Sequence, residues 1–236
     1  MSDTSPSAAP PPPSLPEPGA WRISARTAAI LLVFTIVFTA LMAGAYRLTR
    51  PAIEATRQEA KLRLVAEVLS PHEYDNDLLA DAVILPPTPE LGLAAPSTLY
   101  RARRADKPVA LVFEAAAPDG YAGQIGLLLA VRADGRLAAL RVTNHKETPG
   151  LGDYIDLKKD KNKSAPWIAQ FDEREFADAT RWRVKKDGGA FDQRAGATIS
   201  ARAVVNSSGR AVQWLLPRAA ALYALPAGAR YEDQTP

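Results

Sequence analysis

The stretch TAAILLVFTIVFTALMAGAY, Thr27 to Tyr46, constrains this chain more than any other, because its twenty residues carry no charge and are bracketed by Arg26 and Arg47. That is the length an α-helix needs to cross the hydrocarbon of a bilayer, so a single membrane span is expected there. A cleaved signal peptide competes with this reading, since Ala43-Gly44-Ala45 looks like a small-residue cleavage site. A signal's apolar stretch is usually shorter, and a leader of 26 residues before it is long, so an uncleaved anchor is the expectation. Charge does not orient the span as this reading requires. Arg22 and Arg26 lie on one side and Arg47, Arg50, Arg57, Lys61 and Arg63 on the other, which by the positive-inside rule places the richer side in the cytoplasm. The rule is weak where a long folded domain follows.

Residues 1–26 are Ser-, Pro- and Ala-rich and read as a disordered tail, 27–46 as the transmembrane helix, and 47–95 as a stalk helix and connection. The stalk is PAIEATRQEAKLRLVAEVLSP, Pro51 to Pro71, with proline near its start, good helix formers throughout and proline at its end. Residues 96–225 are expected to form the folded domain, and 226–236 a C-terminal tail. Within the domain Leu99–Arg103, Val109–Glu114, Gln124–Val131 and Leu137–Thr143 read as strands, with turns at Asp106–Pro108, Asp119-Gly120 and Asp134-Gly135. Connections this short exclude crossover helices and predict an antiparallel meander. Pro166–Phe171 reads as a short helix, Trp182–Val184 as a strand, and Ala201–Leu225 as a long amphipathic helix broken only at Pro217. The expected class is α+β: one N-terminal transmembrane helix, then a mostly antiparallel sheet packed by helices.

Composition removes several chemistries. The chain has no cysteine, which excludes disulfides, iron–sulfur ligation and thiolate nucleophiles, so redox work needs an organic cofactor. Net charge is +3, and the basic clusters at Arg101, Arg103, Arg104 and Lys107 and at Lys158, Lys159, Lys161 and Lys163 read as solvated loops and strand edges; nucleic acid is not an expected partner. His145 and Glu147 form an H-x-E pair, but the cysteine ligands that such a pair accompanies in zinc deaminases are missing, so no metal is expected. Gly150-Leu151-Gly152 lacks the third glycine and the βα context of a dinucleotide fingerprint.

Two stretches remain. DQRAGATIS, Asp192 to Ser200, runs from the Gly-rich loop Asp187-Gly188-Gly189 into the start of the long helix. Gly196 lets backbone approach a ligand, Ala197 adds no bulk, and the free N–H groups of the coming helix favour a phosphate. Thr198 and Ser200 place hydroxyls at the same point, for hydrogen bonding or esterification; from the local pattern alone an ordinary N-cap is the preferred reading, with Ser200 placed to cap. NHKETPGLGD, Asn144 to Asp153, follows a predicted strand and has the turn residues of a binding loop, with Thr148 offering a hydroxyl.

These residues carry a resemblance. Asp192, Gly196, Ala197 and Thr198 match the pattern D-x-x-[S/T]-G-A-T at which a flavin transferase esterifies FMN, and the chain resembles the G-type subunits of the Rnf (also called Rsx) electron transport complex. APDGY (Ala117 to Tyr121), HKETPGLGD (His145 to Asp153), VKKDGGAFDQ (Val184 to Gln193) and GATISARAVVN (Gly196 to Asn206) look like segments of that family in the same order, over about residues 27 to 225. The related FMN-carrying C-type component of the sodium-pumping NADH:quinone reductase is similar and is the nearest alternative; a flavin-free envelope scaffold and a released soluble flavoenzyme are the other classes. Ala195 departs from the pattern, where Ser or Thr usually helps to position the phosphate.

The resemblance implies an FMN-binding domain with FMN held as a phosphoester on Thr198. It implies Gly196 and Ala197 as the attachment loop, Glu147, Thr148, Leu151 and Gly152 as neighbours of the flavin, and Lys185 and Lys186 as groups that offset phosphate charge. It further implies a single-pass protein of the bacterial inner membrane with a cytoplasmic tail and a periplasmic domain. The implied partners are the other subunits of the complex, a flavin transferase during maturation, and the membrane. The implied role is electron transfer within an ion-translocating oxidoreductase, with no catalytic residue and no turnover of its own.

Overall fold

The computed structural model describes residues 19–176 and 178–232. The first helix, α1 (Ala20–Ala66), is 47 residues long and runs on through Pro51, where the sequence suggested the span had ended and a new helix began. A proline inside a helix removes one N–H donor and crowds the preceding turn, and here one helix accommodates it. Trp21–Arg50 is 30 residues and holds an 18-residue stretch with a mean hydropathy of 2.4, long and apolar enough to cross a membrane. Its large apolar side chains, Leu31, Phe34, Phe38 and Leu41 among them, are exposed. Of the disordered tail expected over residues 1–26, residues 1–18 lie outside the described residues, and residues 20–26 are helical, the start of α1.

Residues from 57 onward form a second compact unit built on a five-stranded antiparallel meander. Its strands are β1 (Ala82–Leu85), β2 (Ser97–Arg104), β3 (Lys107–Ala117), β4 (Ile125–Arg132) and β5 (Leu137–Asn144), in the order β1-β2-β3-β4-β5. Four of the five lie where alternation and turn signals put them. The β2–β3 turn is tighter than expected, with Ala105 and Asp106 both at positive φ, the twist a two-residue hairpin requires. β1 falls inside the stretch read as connection. It pairs with β2 through Val83 and Leu99, and Ile84 also bridges Arg230, so residues 82–85 and 228–231 belong to the fold rather than to a linker and a tail.

Both faces of the sheet are covered, which explains why β3 and β4 read as near-continuous apolar runs. Leu111, Phe113 and Ala115 of β3, with Leu127, Leu129 and Val131 of β4, face one cluster that contains Val204, Val212 and Leu215 of α2 (Thr198–Leu215) and the aromatic residues Trp167, Phe171, Trp182 and Phe191. The alternate residues Ala110, Val112, Leu128 and Ala130 face a smaller cluster with Val65, Val68, Leu69 and Leu78. α2 ends at Leu215, a 3-10 turn holds Pro217, and α3 (Ala219–Ala224) follows, so the helix expected over Ala201–Leu225 is broken at Pro217, as the sequence predicts.

One local expectation fails. Trp182–Val184 is no strand; only Val184 bridges Phe191, and Trp182 is a core residue whose indole N–H donates to Ser208 Oγ at 3.0 Å. The short helix expected at Pro166–Phe171 is a 3-10 helix over Trp167–Phe171 with Pro166 as its N-cap. Arg101 is also not solvated. It is 2% exposed, donates to Asp81 and to the Leu222 carbonyl (3.1 Å) and Leu225 carbonyl, and so ties β2 to the C-terminal end of α3.

Candidate functional site

The stretch Asp192–Ala197 enters α2 along a route held from outside. Trp167 donates its indole N–H to the Asp192 carbonyl at 2.5 Å, and Gln170 Oε1 accepts the Asp192 N–H at 2.8 Å. The Tyr154 hydroxyl accepts the Arg194 N–H and donates to the Ala197 carbonyl, both at 3.2 Å, and burial pushes its pKa up, which keeps that donor in place. Gly196 sits at φ +82°, a conformation side chains rarely adopt, and turns the chain into the helix. Ala195 is exposed just before that turn.

The helix begins at Thr198 with Ala197 as its N-cap and no side chain capping it, so the first N–H groups of α2 are left for another acceptor. Thr198 is half-buried, and its hydroxyl has no hydrogen-bond partner among the described residues. Ser200 is not the cap expected of it. It is the third residue of the helix, 1% exposed, and donates its hydroxyl to Glu147 Oε2. Burial of the hydroxyl beside a carboxylate acceptor outweighed the local preference for capping.

The second stretch meets this helix start from β5. The Thr148 carbonyl accepts the N–H groups of Leu151 and Gly152, both at 3.1 Å, and Asp153 accepts the Gly150 N–H at 2.9 Å, which folds Thr148–Asp153 into a compact turn. Glu147 points inward. Its Oε1 accepts the Ala122 N–H at 3.1 Å while Oε2 accepts from Ser200, so one carboxylate joins the β3–β4 turn, the loop after β5 and the start of α2. A Cβ at Gly152 would lie 2.6 Å from Ser200 Oγ and 2.7 Å from Glu147 Oε2, so any side chain there forces one of these groups to shift.

Together these segments form a cleft of about 290 Å3 lined by Tyr121, Glu147, Thr148, Leu151, Gly152, Gly196, Ala197, Ile199 and Ser200. Six residues named from the sequence, Glu147, Thr148, Leu151, Gly152, Gly196 and Ala197, meet in it, and Thr198 sits between two of its lining residues. Lys185 does not line it; its ammonium pairs with Asp192 at 2.6 Å. Lys186, next to it, is also absent from the lining. Tyr121 and Ile199 were missed. Each is a large apolar side chain held in the open, at 68% and 46% exposure, and with Leu151 they give the mouth an apolar rim around a polar floor. A β-branched residue beside the motif threonine was the available signal for Ile199. A larger, polar hollow of about 510 Å3, lined by Arg183, Asp187, Asn206 and Arg210 among others, contains none of these residues.

The Asp192–Ala197 segment also depends on a buried charge. Asp160 is fully buried and accepts the N–H groups of Trp167 (2.7 Å) and Asn162 (2.9 Å) and the Arg194 guanidinium (2.6 Å). Burial alone would raise its pKa, but these donors outweigh it and hold the carboxyl below the usual range. A depressed folded-state pKa stabilises the fold fully above the unfolded carboxylate pKa, about 3.9, and that contribution is lost as pH falls through the folded value. Asp160→Asn is therefore expected to cost about 3 kcal/mol at neutral pH. Denaturant unfolding at a series of pH values should show this difference shrinking below about pH 4, and a constant difference would refute the assignment.

Residues 120–213, which include every residue lining the cleft, match the family described as FMN-binding domain, and residues 21–68 match the RnfG N-terminal region. The G-type subunit of the ion-translocating oxidoreductase complex of Pseudoalteromonas atlantica is 42% identical over 188 residues, 79% of this chain and 85% of that protein. The protein of the same name from Pseudomonas aeruginosa is 43% identical over 191 residues, 80% and 87% of the two chains. That of Vibrio cholerae is 40% identical over 188 residues, 79% and 87%.

Proposed function

This chain belongs to the RnfG family, the G-type subunits of ion-translocating oxidoreductase complexes, and from that premise we propose that it carries FMN in the cleft at the start of α2, esterified through its phosphate to Thr198. It is an FMN-containing electron-transfer subunit of such a complex. The observation that carries the attachment reading is the uncapped first turn of α2, which follows the Gly196 turn and begins with a half-buried threonine hydroxyl that has no partner among the described residues. Unpaired N–H groups and the positive end of the helix dipole favour a phosphate there. The exposed faces of Tyr121, Leu151 and Ile199 suit a flat aromatic ring at the cleft mouth, and the missing Cβ of Gly152 keeps the floor open.

When bound, FMN supplies the one- and two-electron chemistry; the chain's residues bind and orient it and set its surroundings. At about 290 Å3 the cleft lies at the lower end of ligand pockets, which leaves an edge of the ring at the surface, where another subunit can approach it for electron transfer. A phosphoester keeps a cofactor so shallowly held from being lost. Lys185 belongs to the reading in a weaker role: with its ammonium on Asp192 it adds positive charge near the loop without touching the phosphate.

We place the domain that follows Trp21–Arg50 in the periplasm of a bacterial inner membrane, with other subunits of the complex as partners and a flavin transferase acting during maturation. In-gel fluorescence of the denatured full-length chain, co-produced with a flavin transferase, tests the covalent link: a fluorescent band is expected, and a dark band from protein that held flavin before denaturation refutes it. A reporter fused after Pro236 should behave as extracytoplasmic. Cytoplasmic labelling would reverse the topology.

A further inference from the structure

Glu147 differs from Asp160, the other buried carboxylate among the described residues, which has the Arg194 guanidinium, and from the half-buried Asp81, which has Arg101 and Arg103; buried charges ordinarily require such partners. Glu147 is 3% exposed and has only neutral donors, the Ala122 N–H and the Ser200 hydroxyl. Among the described residues no lysine or arginine pairs with it. His145 Nδ1 accepts the Glu147 N–H at 3.1 Å, and its Nε2 faces Asp156 at 3.7 Å rather than the Glu147 carboxylate. Two glycines crowd the carboxylate: a Cβ at Gly120 would lie 2.9 Å from Oε1 and one at Gly152 2.7 Å from Oε2. The backbone is thus shaped to hold an acidic side chain in the wall of the cleft.

A tie between three segments needs no charge, since an amide of the same shape accepts from Ala122 and donates to Ser200. A carboxylate without a counterion adds something the tie does not require, a negative potential in a water-poor wall, where charges act more strongly than in bulk water. Electrons added to a ring in the cleft raise its electron density, and a fixed negative charge beside it opposes that. We propose that Glu147 tunes the flavin: its uncompensated charge in the cleft wall lowers the reduction potential of FMN held there and makes the protein the readier electron donor. The inference rests on the reading that FMN occupies this cleft.

The test is an anaerobic spectroelectrochemical titration of full-length protein in detergent, co-produced with a flavin transferase. The fraction of Glu147→Gln that carries FMN should titrate at a more positive potential than wild type. Ser200→Ala keeps the charge and removes one of the two donors that damp it, so it should load and titrate at a more negative potential than wild type. A Glu147→Gln potential at or below wild type overturns the proposal. If that variant does not fold, a Ser200→Ala potential at or above wild type overturns it instead. Failure of the underlying reading looks different, because wild-type protein would then lack flavin on the peptide that contains Thr198.

Discussion

Replacing Thr198 with alanine is expected to abolish covalent FMN and leave a folded, colourless protein. The hydroxyl has no hydrogen-bond partner among the described residues, and alanine suits the first turn of a helix at least as well as threonine, so stability should change by no more than about 0.5 kcal/mol. The competing hydroxyl behaves in the opposite way. Ser200→Ala should keep the adduct, because that hydroxyl is buried and committed to Glu147, and should cost about 1–3 kcal/mol by leaving the carboxylate short of a donor. Mass spectrometry of the tryptic peptide Ala195–Arg202 separates the two. An adduct mapped to Ser200, or one that persists in Thr198→Ala, would overturn the attachment site.

A single added carbon at Gly152 should have the next largest effect. The Cβ of Gly152→Ala would stand 2.6 Å from Ser200 Oγ, 2.7 Å from Glu147 Oε2 and 3.2 Å from Glu147 Cβ, so one of these groups must move. Glu147 cannot swing away without losing Ala122 or Ser200, and the three segments of the cleft part with it. Overpacking of this kind costs about 1–3 kcal/mol, and the yield of attached flavin and its visible absorbance should fall together. Gly150→Ala is the control. Its Cβ meets nothing within 4 Å, and its cost comes from φ +78° alone, about 1 kcal/mol, with the cleft intact. Wild-type yield and spectrum in Gly152→Ala would show that the close approach does not govern the site.

The departures from the expected pattern have a common physical origin. Strands β2 to β5 and most of α2 were legible because alternation and 3.6-residue periodicity are local, and each buried face repeats within a few residues. The apolar span was legible for the same reason, as was the pairing of a glycine turn with a threonine at a helix start. β1 was not, since four residues between turns carry no period of their own, and β2 and Arg230 make them a strand. Arg101 read as a surface charge because its partners, Asp81 and the carbonyls of Leu222 and Leu225, lie 20 and more than a hundred positions away in sequence.

Within the site the division is sharper. The residue types at Glu147–Gly152 and Gly196–Thr198 are legible in the chain alone, and their resemblance to a family says which ligand to expect. What each side chain does was set by packing. Ser200 became the donor to Glu147 across 53 positions instead of a cap, and Tyr154 came to hold Ala197 across 43. Tyr121 and Ile199 became the apolar rim, and Lys185 turned to Asp192. A buried polar group takes whichever partner packing brings within hydrogen-bonding distance, and that partner is set by the order of strands and the docking of α2, about which local sequence carries no signal.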